Sequence, residues 1–593
     1  MIGDKQEKLI KSNKVKKIFD AKYLLVLVIP LIVLVLALMM KKATGPYWLG
    51  PNSDPAYQYL INSLHVLEAK TPSHFEHPGT TLQILGAIVF KSFHLLDDNT
   101  TIIKAVLTNP EIYLRAIFLS MLIPFILILI GIGLYSYSKS KSILFACLIQ
   151  STGLVFCKFY NIHIIMPPIV NISPEMLIIV ASYLCVFLVL KLYFKESKKC
   201  LWESIAFGVV CALGFISKTT FIPVLLLPVV LLPGLRQKLI FFITFIFSSI
   251  VLTFPARAAY SKMFYGFKGL AINKYKFDYG AAEKGIIDLD QMINNFISIF
   301  KFKPFWVIAV LASVIGMIVY SVLRQKDTFV DPEKYKRIFK YILTITLVSL
   351  GQILIVSKHY GAHYLIPAIS LLGLLLGFYY LAIREVGIKK SIIAFLLIAG
   401  IGVQTAQAFV HYKNLSVLHK DLYEFSNKVH KKYDKCQIIE YYRASSKKLA
   451  LFYGDSGCGK REYSQILKQM YPGSYFYLSR DKEFRTFDKI TRLDSIDLKT
   501  NCVMAYGSRG ETFDGFVDSQ EIEFIRNEGI SRIKKIASTE SRLMFYAAKR
   551  FEGEKQYDKA FYAAYKAMQA GIPNINQYVY ELGSKAGIIG KEQ

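Results

Sequence analysis

Residues 23–40 of the chain read YLLVLVIPLIVLVLALMM, an uninterrupted apolar run that ends at Lys41 and Lys42. Its length suits a helix that crosses the hydrocarbon core of a bilayer, and similar runs recur as far as residue 410. Of the 593 residues, 53% are hydrophobic and only 19% are charged, against about 45–50% and about 25% in soluble domains. The chain up to residue 410 is therefore predicted to be a multi-pass membrane domain. This excludes a soluble enzyme, a secreted disulfide scaffold and a disordered chain.

About eleven segments have the length and composition of membrane-spanning helices. They are 23–40, 113–137, 143–159, 175–194, 203–218, 220–234, 239–256, 305–323, 338–357, 365–383 and 391–410. The segment 80–95 is apolar but short and contains Lys91, which predicts a helix at the membrane interface rather than a span. The predicted fold class is mostly α, with a polytopic helical domain over 23–410 and a smaller soluble domain after it.

Positive charge sets the predicted orientation. Residues 1–22 are basic and no small-residue cleavage site follows the first apolar run, so we predict an uncleaved span with the N-terminus in the cytoplasm. The short loops that then face the cytoplasm are basic, for example at Lys139 and Lys141. An odd number of spans places the long segments 41–112 and 257–304, and the C-terminal region, outside the cytoplasmic membrane.

The net charge of +29 allows two interpretations, nucleic-acid binding and membrane topology. Basic cytoplasmic loops near anionic headgroups account for the charge, and the sequence holds no RNA-binding motif, so we predict no nucleic-acid partner. Among the eight cysteines, those between 147 and 211 are typical of small buried hydrophobes. Cys436, Cys458 and Cys502 lie in the polar C-terminal region, where an odd number allows at most one disulfide.

The C-terminal region is predicted to contain an α/β domain over 411–537 and a helical hairpin over 538–593. Strand-like runs occur at 436–442, 449–454, 474–479 and 501–507, with helical stretches between them. The run 545–574 resembles one tetratricopeptide-like repeat through Ala548, Phe551, Tyr557, Ala560 and Ala567.

One motif in this region resembles a phosphate-binding loop. Residues 454–460, GDSGCGK, fit the G-x-x-x-x-G-K pattern. Arg461 stands where such loops carry the Ser or Thr that holds magnesium, and nucleoside triphosphates are scarce outside the membrane. A glycine-rich turn between a strand and a helix is the favoured interpretation.

Acidic residues gather where the predicted spans meet the outer face. Asp54 follows the first span in GPNSDPAYQYL, residues 50–60. It either caps the next helix or has a functional role, because charge near a membrane is costly without one. The same loop continues into FEHPG at 75–79, and Ser-Pro-Glu ending at Glu175 opens the fourth span, where the helix dipole also favours a carboxylate.

Cations occupy the same predicted face. Lys218 lies between two short spans in GFISKTT, residues 214–220. A buried lysine there needs an anion, which is either a ligand or a structural salt bridge to Asp54 or Glu175. Arg257 ends the seventh span, and SKHYGAHYLIP at 357–367 adds two histidines and a further lysine. Carboxylates and cations together suit the activation of a hydroxyl and the stabilisation of a departing phosphate.

The order of these motifs resembles the GT-C superfamily of integral membrane glycosyltransferases, within it the protein O-mannosyltransferase and lipid A aminoarabinose transferase group. The resemblance covers about 41–410. It rests on the early aspartate, the F-E-x-P-like segment, Pro-Glu at the fourth span, the glycine-then-lysine turn and a K-x-x-x-x-HYL-x-P-like segment. Asp54 is followed by Pro55 and Ala56 rather than by the charged neighbour usual in that group, so the donor and the acceptor are not transferred from those relatives.

The resemblance implies an enzyme that transfers a sugar, with inversion, from a polyprenyl-phosphate carrier to a hydroxyl of a glycan, lipid or protein acceptor. It implies Asp54 as the general base or as a residue that helps to orient the acceptor. Glu76 is the alternative base, and Glu175 is a further acidic site residue. No cofactor is certain, and Asp54 and Glu175 are candidate ligands for a divalent metal ion because metal use varies within the superfamily. The residues implied to hold the carrier phosphate are Lys218, Arg257, Lys358, His359 and His363, and those of the donor and acceptor loops are Tyr57, His77 and Tyr364.

Two other functions stay open from the sequence. A polytopic carrier of lipid or polysaccharide predicts charged residues buried in mid-span along a path, whereas here they gather at the outer ends. A non-catalytic membrane scaffold predicts that the C-terminal domain binds a partner, as tetratricopeptide-like helices commonly do.

Overall fold

The computed structural model describes residues 21–75, 79–95, 101–158, 166–195, 199–272, 287–324, 332–358, 360–383, 390–441, 444–478, 483–491, 503–507, 520–525, 530–536, 552, 555–569 and 576–588. The fold is mostly helical, with a small sheet in the C-terminal region. The chain forms two compact units. One joins Met1–Tyr47 to Asp54–Val417, and the other joins Trp48–Ser53 to Leu418–Gln593.

The helices up to residue 432 follow the apolar runs of the sequence. Within the described residues they are Ala21–Thr44, Ser53–Leu67, Thr80–His94, Ile102–Thr108, Pro110–Ser140, Ile143–Ser151, Pro174–Phe194, Leu201–Ser217, Leu226–Leu231, Gly234–Thr253, Tyr260–Ile272, Leu289–Phe302, Pro304–Arg324, Pro332–Lys358, Ile366–Ser370, Leu372–Ile383 and Lys390–Lys432. Short 3-10 segments lie beside several of them at Gly50–Asn52, Thr152–Cys157, Thr219–Leu225, Phe254–Ala259 and Ala362–Leu365.

Seven helices of the described chain are long and apolar enough to cross a membrane, or eight if the bent pair Leu289–Lys301 and Pro304–Ile318 forms one span. The seven are Lys22–Thr44, Pro110–Ser140, Pro174–Phe194, Gly234–Gly269, Glu333–Lys358, Ala362–Ile383 and Lys390–Lys432. By the length and composition of its helices the chain is therefore a multi-pass membrane protein, as predicted. Three of the predicted spans coincide with apolar helices that are shorter than this criterion requires: Ile143–Cys157, Leu201–Ser217 and Thr219–Leu231.

The candidate spans differ in how much of their surface other helices cover. Pro174–Phe194 has 78% of its apolar window buried, whereas Gly234–Gly269 has 17%. The helix Gly234–Gly269 exposes large apolar side chains such as Ile243 and Phe247, which suits a surface in contact with lipid. Pro174–Phe194 is thus a central helix of its unit, and the residue at its start, Glu175, lies among its neighbours.

The C-terminal sheet has seven described strands in the order β4-β3-β2-β1-β5-β7-β6. They are β1 Gln437–Tyr441, β2 Tyr475–Leu478, β3 Glu483–Arg485, β4 Ile490–Thr491, β5 Val503–Tyr506, β6 Gln520–Ile525 and β7 Ile530–Ile536. The central strand β1 is parallel to β2 and β5, and all the other pairs are antiparallel. Three of the predicted strands therefore match β1, β2 and β5.

The remaining predicted strand, at 449–454, is wrong, because these residues lie inside the helix Lys447–Cys458. Ser446 caps this helix by accepting a hydrogen bond from the Leu449 backbone N–H. The run LALFYG is apolar without the alternation of a half-buried strand, so its composition alone does not separate strand from helix. Residues 454–458 of the motif 454–460 form the end of this same helix. The motif therefore lacks the preceding strand that a phosphate-binding loop needs, and the predicted turn from a strand to a helix is wrong for the same reason.

Two further packing arrangements complete the C-terminal unit. The helices Tyr557–Gln569 and Asn576–Lys585 pack together through the buried side chains of Ala560, Phe561, Ala564, Val579 and Leu582. The segment Trp48–Ser53 belongs to this unit rather than to the helical one. The Gly50 backbone N–H donates to Ser445 Oγ at 3.0 Å, and His419 Nε2 lies 3.3 Å from Asn52 Oδ1.

Candidate functional site

A buried ion pair joins two helix ends of the first unit. Pro174 starts the helix Pro174–Phe194, which suits proline, and places Glu175 in its first turn. Lys218 follows the last residue of Leu201–Ser217, and its backbone N–H donates to the Gly214 carbonyl. Lys218 Nζ lies 2.5 Å from Glu175 Oε1, and the two residues are only 5% and 8% exposed. Of the two anions expected for a structural salt bridge to Lys218, the structure selects Glu175.

The segment that follows Lys358 supplies two more side chains to this pair. His363 Nε2 lies 3.8 Å from Glu175 Oε1, and the Tyr364 ring centre lies 4.7 Å from Lys218 Nζ, within the range of a cation–π contact. Gln352 fixes both loops, because its Nε2 donates to the Thr220 carbonyl at 3.0 Å and to the Tyr364 carbonyl at 2.6 Å. We call Glu175, Lys218, His363 and Tyr364 the Lys218 cluster.

The loop that leads into the helix Thr80–His94 docks on the helix end that carries Lys218. The Gly79 backbone N–H donates to the Ile216 carbonyl at 3.0 Å, and the Thr81 and Ser217 hydroxyls are 2.8 Å apart. Gly79 has φ 57°, a left-handed conformation that suits glycine. Gly79 and Thr81 are thereby held against the residues that precede Lys218.

His74 is the histidine of this loop that the structure describes. Asn62 Oδ1 accepts from the backbone N–H groups of Ser73 and His74, and Gln83 Nε2 donates to the His74 carbonyl at 2.6 Å. Burial, together with the positive charge of Lys218, lowers the pKa of the His74 imidazole to about 4. His74 is therefore a neutral hydrogen-bonding group near pH 7 and adds no positive charge beside Lys218.

Several buried polar atoms of the first unit have no hydrogen-bond partner among the described residues. The amide orientations of Gln83 and Gln352 follow from their Nε2 groups, which donate to backbone carbonyls. Their Oε1 atoms are left without a donor. The same holds for Asn171 Oδ1, Thr80 Oγ1, Thr220 Oγ1 and His363 Nδ1. Buried acceptors are normally satisfied, so these positions suit a bound group or water that brings hydroxyl donors.

A second carboxylate, Glu111, binds both sides of the segment that contains Asp54. Its Oε2 accepts from the Tyr47 backbone N–H at 2.8 Å, and its Oε1 accepts from the Tyr57 hydroxyl at 3.0 Å. Tyr47 and Tyr57 are completely buried. Tyr57, predicted as part of the donor and acceptor loops, is thus held by the start of the helix Pro110–Ser140.

Asp54 lies in the first turn of Ser53–Leu67 and is exposed. Its backbone has φ −103° and ψ 120°, an extended conformation rather than a helical one. This is the conformation of a residue that precedes a regular helix, so the capping interpretation stays open beside the functional one.

The remaining predicted site residues are placed less centrally or lie outside the described residues. Arg257 is exposed, and its guanidinium lies 4.5 Å from the centre of the Phe254 ring, so its described contact is not with the Lys218 cluster. Lys358 ends the helix Pro332–Lys358 and is half-buried. Glu76, His77 and His359 lie outside the described residues.

The chemistry of the Lys218 cluster has to be derived from its own residues. Comparisons with protein-family models, curated proteins and solved structures found no match to this chain. A buried ammonium beside a carboxylate and two aromatic rings can bind an anion. The anion either displaces the carboxylate or shares the ammonium with it. Among the described residues no three His, Cys, Asp or Glu side chains are grouped as a metal site requires.

Glu111, His74 and Gln352 are the residues of this region that sequence reasoning missed. A signal for Glu111 existed, because Asn109-Pro110-Glu111 repeats the pattern of Ser173-Pro174-Glu175 at the start of another span. For Gln352, a lone glutamine inside an apolar helix, the signal was that a polar side chain in a span must find partners. His74 stood two residues before the FEHPG segment without a distinguishing pattern.

Proposed function

We propose that this protein is a membrane glycosyltransferase of the GT-C type. It transfers a sugar from a polyprenyl-phosphate carrier to the hydroxyl of a glycan, lipid or protein, with inversion, at the outer face of the cytoplasmic membrane. The observation that carries the proposal is the buried Lys218 ammonium, held between Glu175 and Tyr364 at the ends of central helices, with the first outer loop docked beside it.

The cluster suits the phosphate end of such a donor. A sugar phosphoryl-lipid already has a good leaving group, so the enzyme has to place the acceptor in line and neutralise the departing phosphate. Lys218 and His363 are the cationic and hydrogen-bonding groups for the phosphate, with Arg257, Lys358 and His359 as further candidates from the sequence. Glu175 holds the Lys218 ammonium in position when no donor is bound.

The unsatisfied acceptors support a polyol ligand beside the phosphate. A sugar ring presents several hydroxyl donors, and Gln83 Oε1, Gln352 Oε1 and Asn171 Oδ1 each lack a donor among the described residues. A ligand without a hydroxyl at such a position leaves the acceptor unpaired and binds more weakly, so these groups select for donors at defined positions. Unpaired acceptors of this kind suit a ligand that carries hydroxyl groups rather than an apolar molecule.

Asp54 is the general base of the proposal, with Glu76 as the alternative. Its exposure lets an acceptor hydroxyl from outside reach it. A divalent ion held by Asp54 and Glu175 does not fit well, because Glu175 Oε1 is already 2.5 Å from an ammonium nitrogen. The proposal therefore contains no step through a metal ion, and activity in the presence of a chelator tests that choice.

The proposed topology keeps eleven crossings, with the N-terminus inside and the C-terminal domain outside. The three short apolar helices then cross where the bilayer thins locally or where their flanking residues snorkel to the interface. Cys436 is disulfide-bonded, which supports a compartment outside the reducing cytoplasm. The helices Tyr557–Gln569 and Asn576–Lys585 form the tetratricopeptide-like hairpin of the proposal, which serves to bind an acceptor or a partner.

Mass spectrometry of envelope glycans and of polyprenyl-phosphate sugars tests the proposal. A strain that lacks the gene is complemented with the wild type, with Asp54→Asn, or with Asp290→Asn, which removes an exposed carboxylate outside the site. We expect the gene deletion and Asp54→Asn to lose one sugar from a glycan while its lipid-linked form persists. The wild type and Asp290→Asn should restore that sugar.

The other outcomes discriminate between the alternatives. Full restoration by Asp54→Asn would make Asp54 a helix cap and would move the base to Glu76. A strain without the gene whose glycans are unchanged would contradict the transferase and favour a scaffold. Loss of the outer lipid-linked sugar itself would favour a lipid or polysaccharide carrier.

A further inference from the structure

Glu111 and Glu175 occupy equivalent positions but have different partners. Each follows a proline that starts a candidate span. Glu175 faces the ammonium of Lys218. Glu111 instead accepts hydrogen bonds from the Tyr47 backbone N–H and the Tyr57 hydroxyl, one on each carboxylate oxygen. Hydrogen bonds to an ionised acceptor are stronger than neutral ones, so Glu111 ties two distant points of the first outer segment to the start of one helix.

Tyr47 and Tyr57 lie on either side of Asp54 in the sequence. Asp54 has an extended backbone, so the regular helical hydrogen bonds that begin after it do not set its orientation by themselves. Tyr47 and Tyr57 are completely buried, and neither can shift without opening the interior. Glu111 therefore holds the chain on both sides of Asp54, through Tyr47 before it and Tyr57 after it.

Tyr47 also links this segment to the Lys218 cluster. Its hydroxyl lies 3.4 Å from the Val170 carbonyl, shortly before Ser173-Pro174-Glu175. Lys41 Nζ lies 3.4 Å from the centre of the Tyr47 ring and donates to the Gly45 carbonyl at 2.9 Å, which closes the turn after the first span. Tyr47 therefore connects the segment before Asp54 with the segment that leads from Val170 to Glu175.

We infer that Glu111 is a positioning residue of the transfer site, which sets the location of Asp54 relative to the Lys218 cluster through Tyr47 and Tyr57. This inference rests on the proposed function. Glu111 does not touch substrate. Its role is to keep the general base aligned with the acceptor hydroxyl, and a misplacement of about 1 Å in such a geometry lowers the rate by roughly 100-fold.

The test uses the full chain in lipid nanodiscs, with a synthetic polyprenyl-phosphate sugar as donor and a simple alcohol as acceptor. Glu111→Gln keeps the shape but presents an amide group to one of its two donors. We expect kcat to fall 10- to 100-fold while KM for the lipid donor changes less than about 2-fold. Hydrogen exchange of peptides from 47–57 should become faster at the same time. Tyr57→Phe should reproduce part of both effects.

Glu203→Gln is the control, because Glu203 is also a first-turn glutamate but pairs with Lys195 elsewhere in the unit. It should leave kcat and the exchange of 47–57 as in the wild type. The inference is overturned if Glu111→Gln leaves the exchange of 47–57 unchanged, because the carboxylate would then not anchor that segment. It is overturned as well if the exchange becomes faster while kcat keeps its wild-type value, because the anchoring would then not serve the transfer. A wild type without transfer activity would defeat the proposed function, while the exchange experiment would still decide whether Glu111 anchors the segment.

Discussion

Lys218 Nζ lies 2.5 Å from Glu175 Oε1, although the two residues are 43 positions apart in the sequence and belong to different helices. Both side chains are almost completely buried. A buried ion pair often adds little stability compared with apolar residues of similar size, but removal of one partner leaves an unpaired charge. The pair is therefore expected to be kept for the chemistry of the Lys218 cluster.

Single and double substitutions separate the two roles of this pair. Lys218→Met should lower the free energy of unfolding by about 3–5 kcal/mol, because Glu175 is left charged and buried. Lys218→Met combined with Glu175→Met should regain most of that stability and still transfer no sugar. Apparent Tm in detergent and transfer in nanodiscs measure the two effects. Transfer by the double variant at the wild-type rate would make the pair purely structural.

Gly79→Ala should destabilise the docked loop before the helix Thr80–His94. The residue has φ 57°, which alanine adopts at a cost of about 1 kcal/mol. The added Cβ would also stand 3.3 Å from the Tyr59 hydroxyl. We expect a lower apparent Tm and faster exchange in 71–83. Gly131→Ala is the control, because nothing lies within 4 Å of its added Cβ. An unchanged exchange rate in Gly79→Ala would mean that the loop is not held at this residue.

Asp455 makes the C-terminal unit sensitive to pH. Its side chain is 2% exposed, and burial raises the pKa of its carboxyl from 3.8 to about 7. Because the folded state holds this proton more tightly than the unfolded state, stability is lost as the pH rises from about 4 to about 7. Asp455→Asn should therefore raise the free energy of unfolding on the order of 2 kcal/mol at pH 8 and have little effect at pH 4.

Thermal unfolding at the two pH values checks the Asp455 prediction. Asp455→Asn keeps an oxygen that can accept from the Tyr463 backbone N–H, as Asp455 Oδ1 does at 3.2 Å. Asp488→Asn is the control, since a hydrogen bond from Lys468 lowers the pKa of the Asp488 carboxyl. It should bring no gain at pH 8. A gain of equal size at both pH values for Asp455→Asn would contradict the assigned cause.

Hydrogen exchange in the segment Trp48–Ser53 should depend on its hydrogen bond to Ser445 in the C-terminal unit. The Gly50 N–H donates to the buried Ser445 hydroxyl at 3.0 Å. Ser445→Ala should therefore speed the hydrogen exchange of Gly50 about 5- to 10-fold, which corresponds to roughly 1 kcal/mol for one hydrogen bond. Ser474→Ala removes another buried serine hydroxyl of the same unit and should leave Gly50 unchanged. Equal exchange in both variants would show that this bond does not hold the segment.

The predicted location of the C-terminal domain can be tested through Cys436, which is disulfide-bonded. On intact cells a membrane-impermeant maleimide should label this cysteine only after mild reduction. A cysteine introduced by Lys141→Cys, in a loop predicted to face the cytoplasm, should be labelled only after permeabilisation. Labelling of Cys436 only in permeabilised cells would place the domain inside and would exclude an odd number of spans.

Local patterns determined a large part of this protein. Apolar runs such as 23–40 and 113–137 predicted the helices Ala21–Thr44 and Pro110–Ser140, because length and hydrophobicity are properties of the run itself. Apolar runs with strand propensity at 436–442 and 474–479 predicted β1 and β2. The run 449–454 was wrongly predicted as a strand. Its apolar residues fit either structure, and the N-cap at Ser446 stabilises the helix.

The sequence by itself also placed Glu175, Lys218, His363 and Tyr364 at one end of the spans, since the ends of apolar runs can be counted. Only the tertiary structure decided that Lys218 pairs with Glu175, that Glu111 holds Tyr47 and Tyr57, and that Trp48–Ser53 packs in the C-terminal unit. The physical reason is that hydropathy and helix signals act over neighbouring residues. The partner of a buried polar group is fixed instead by which distant elements pack together, and that depends on the whole chain at once.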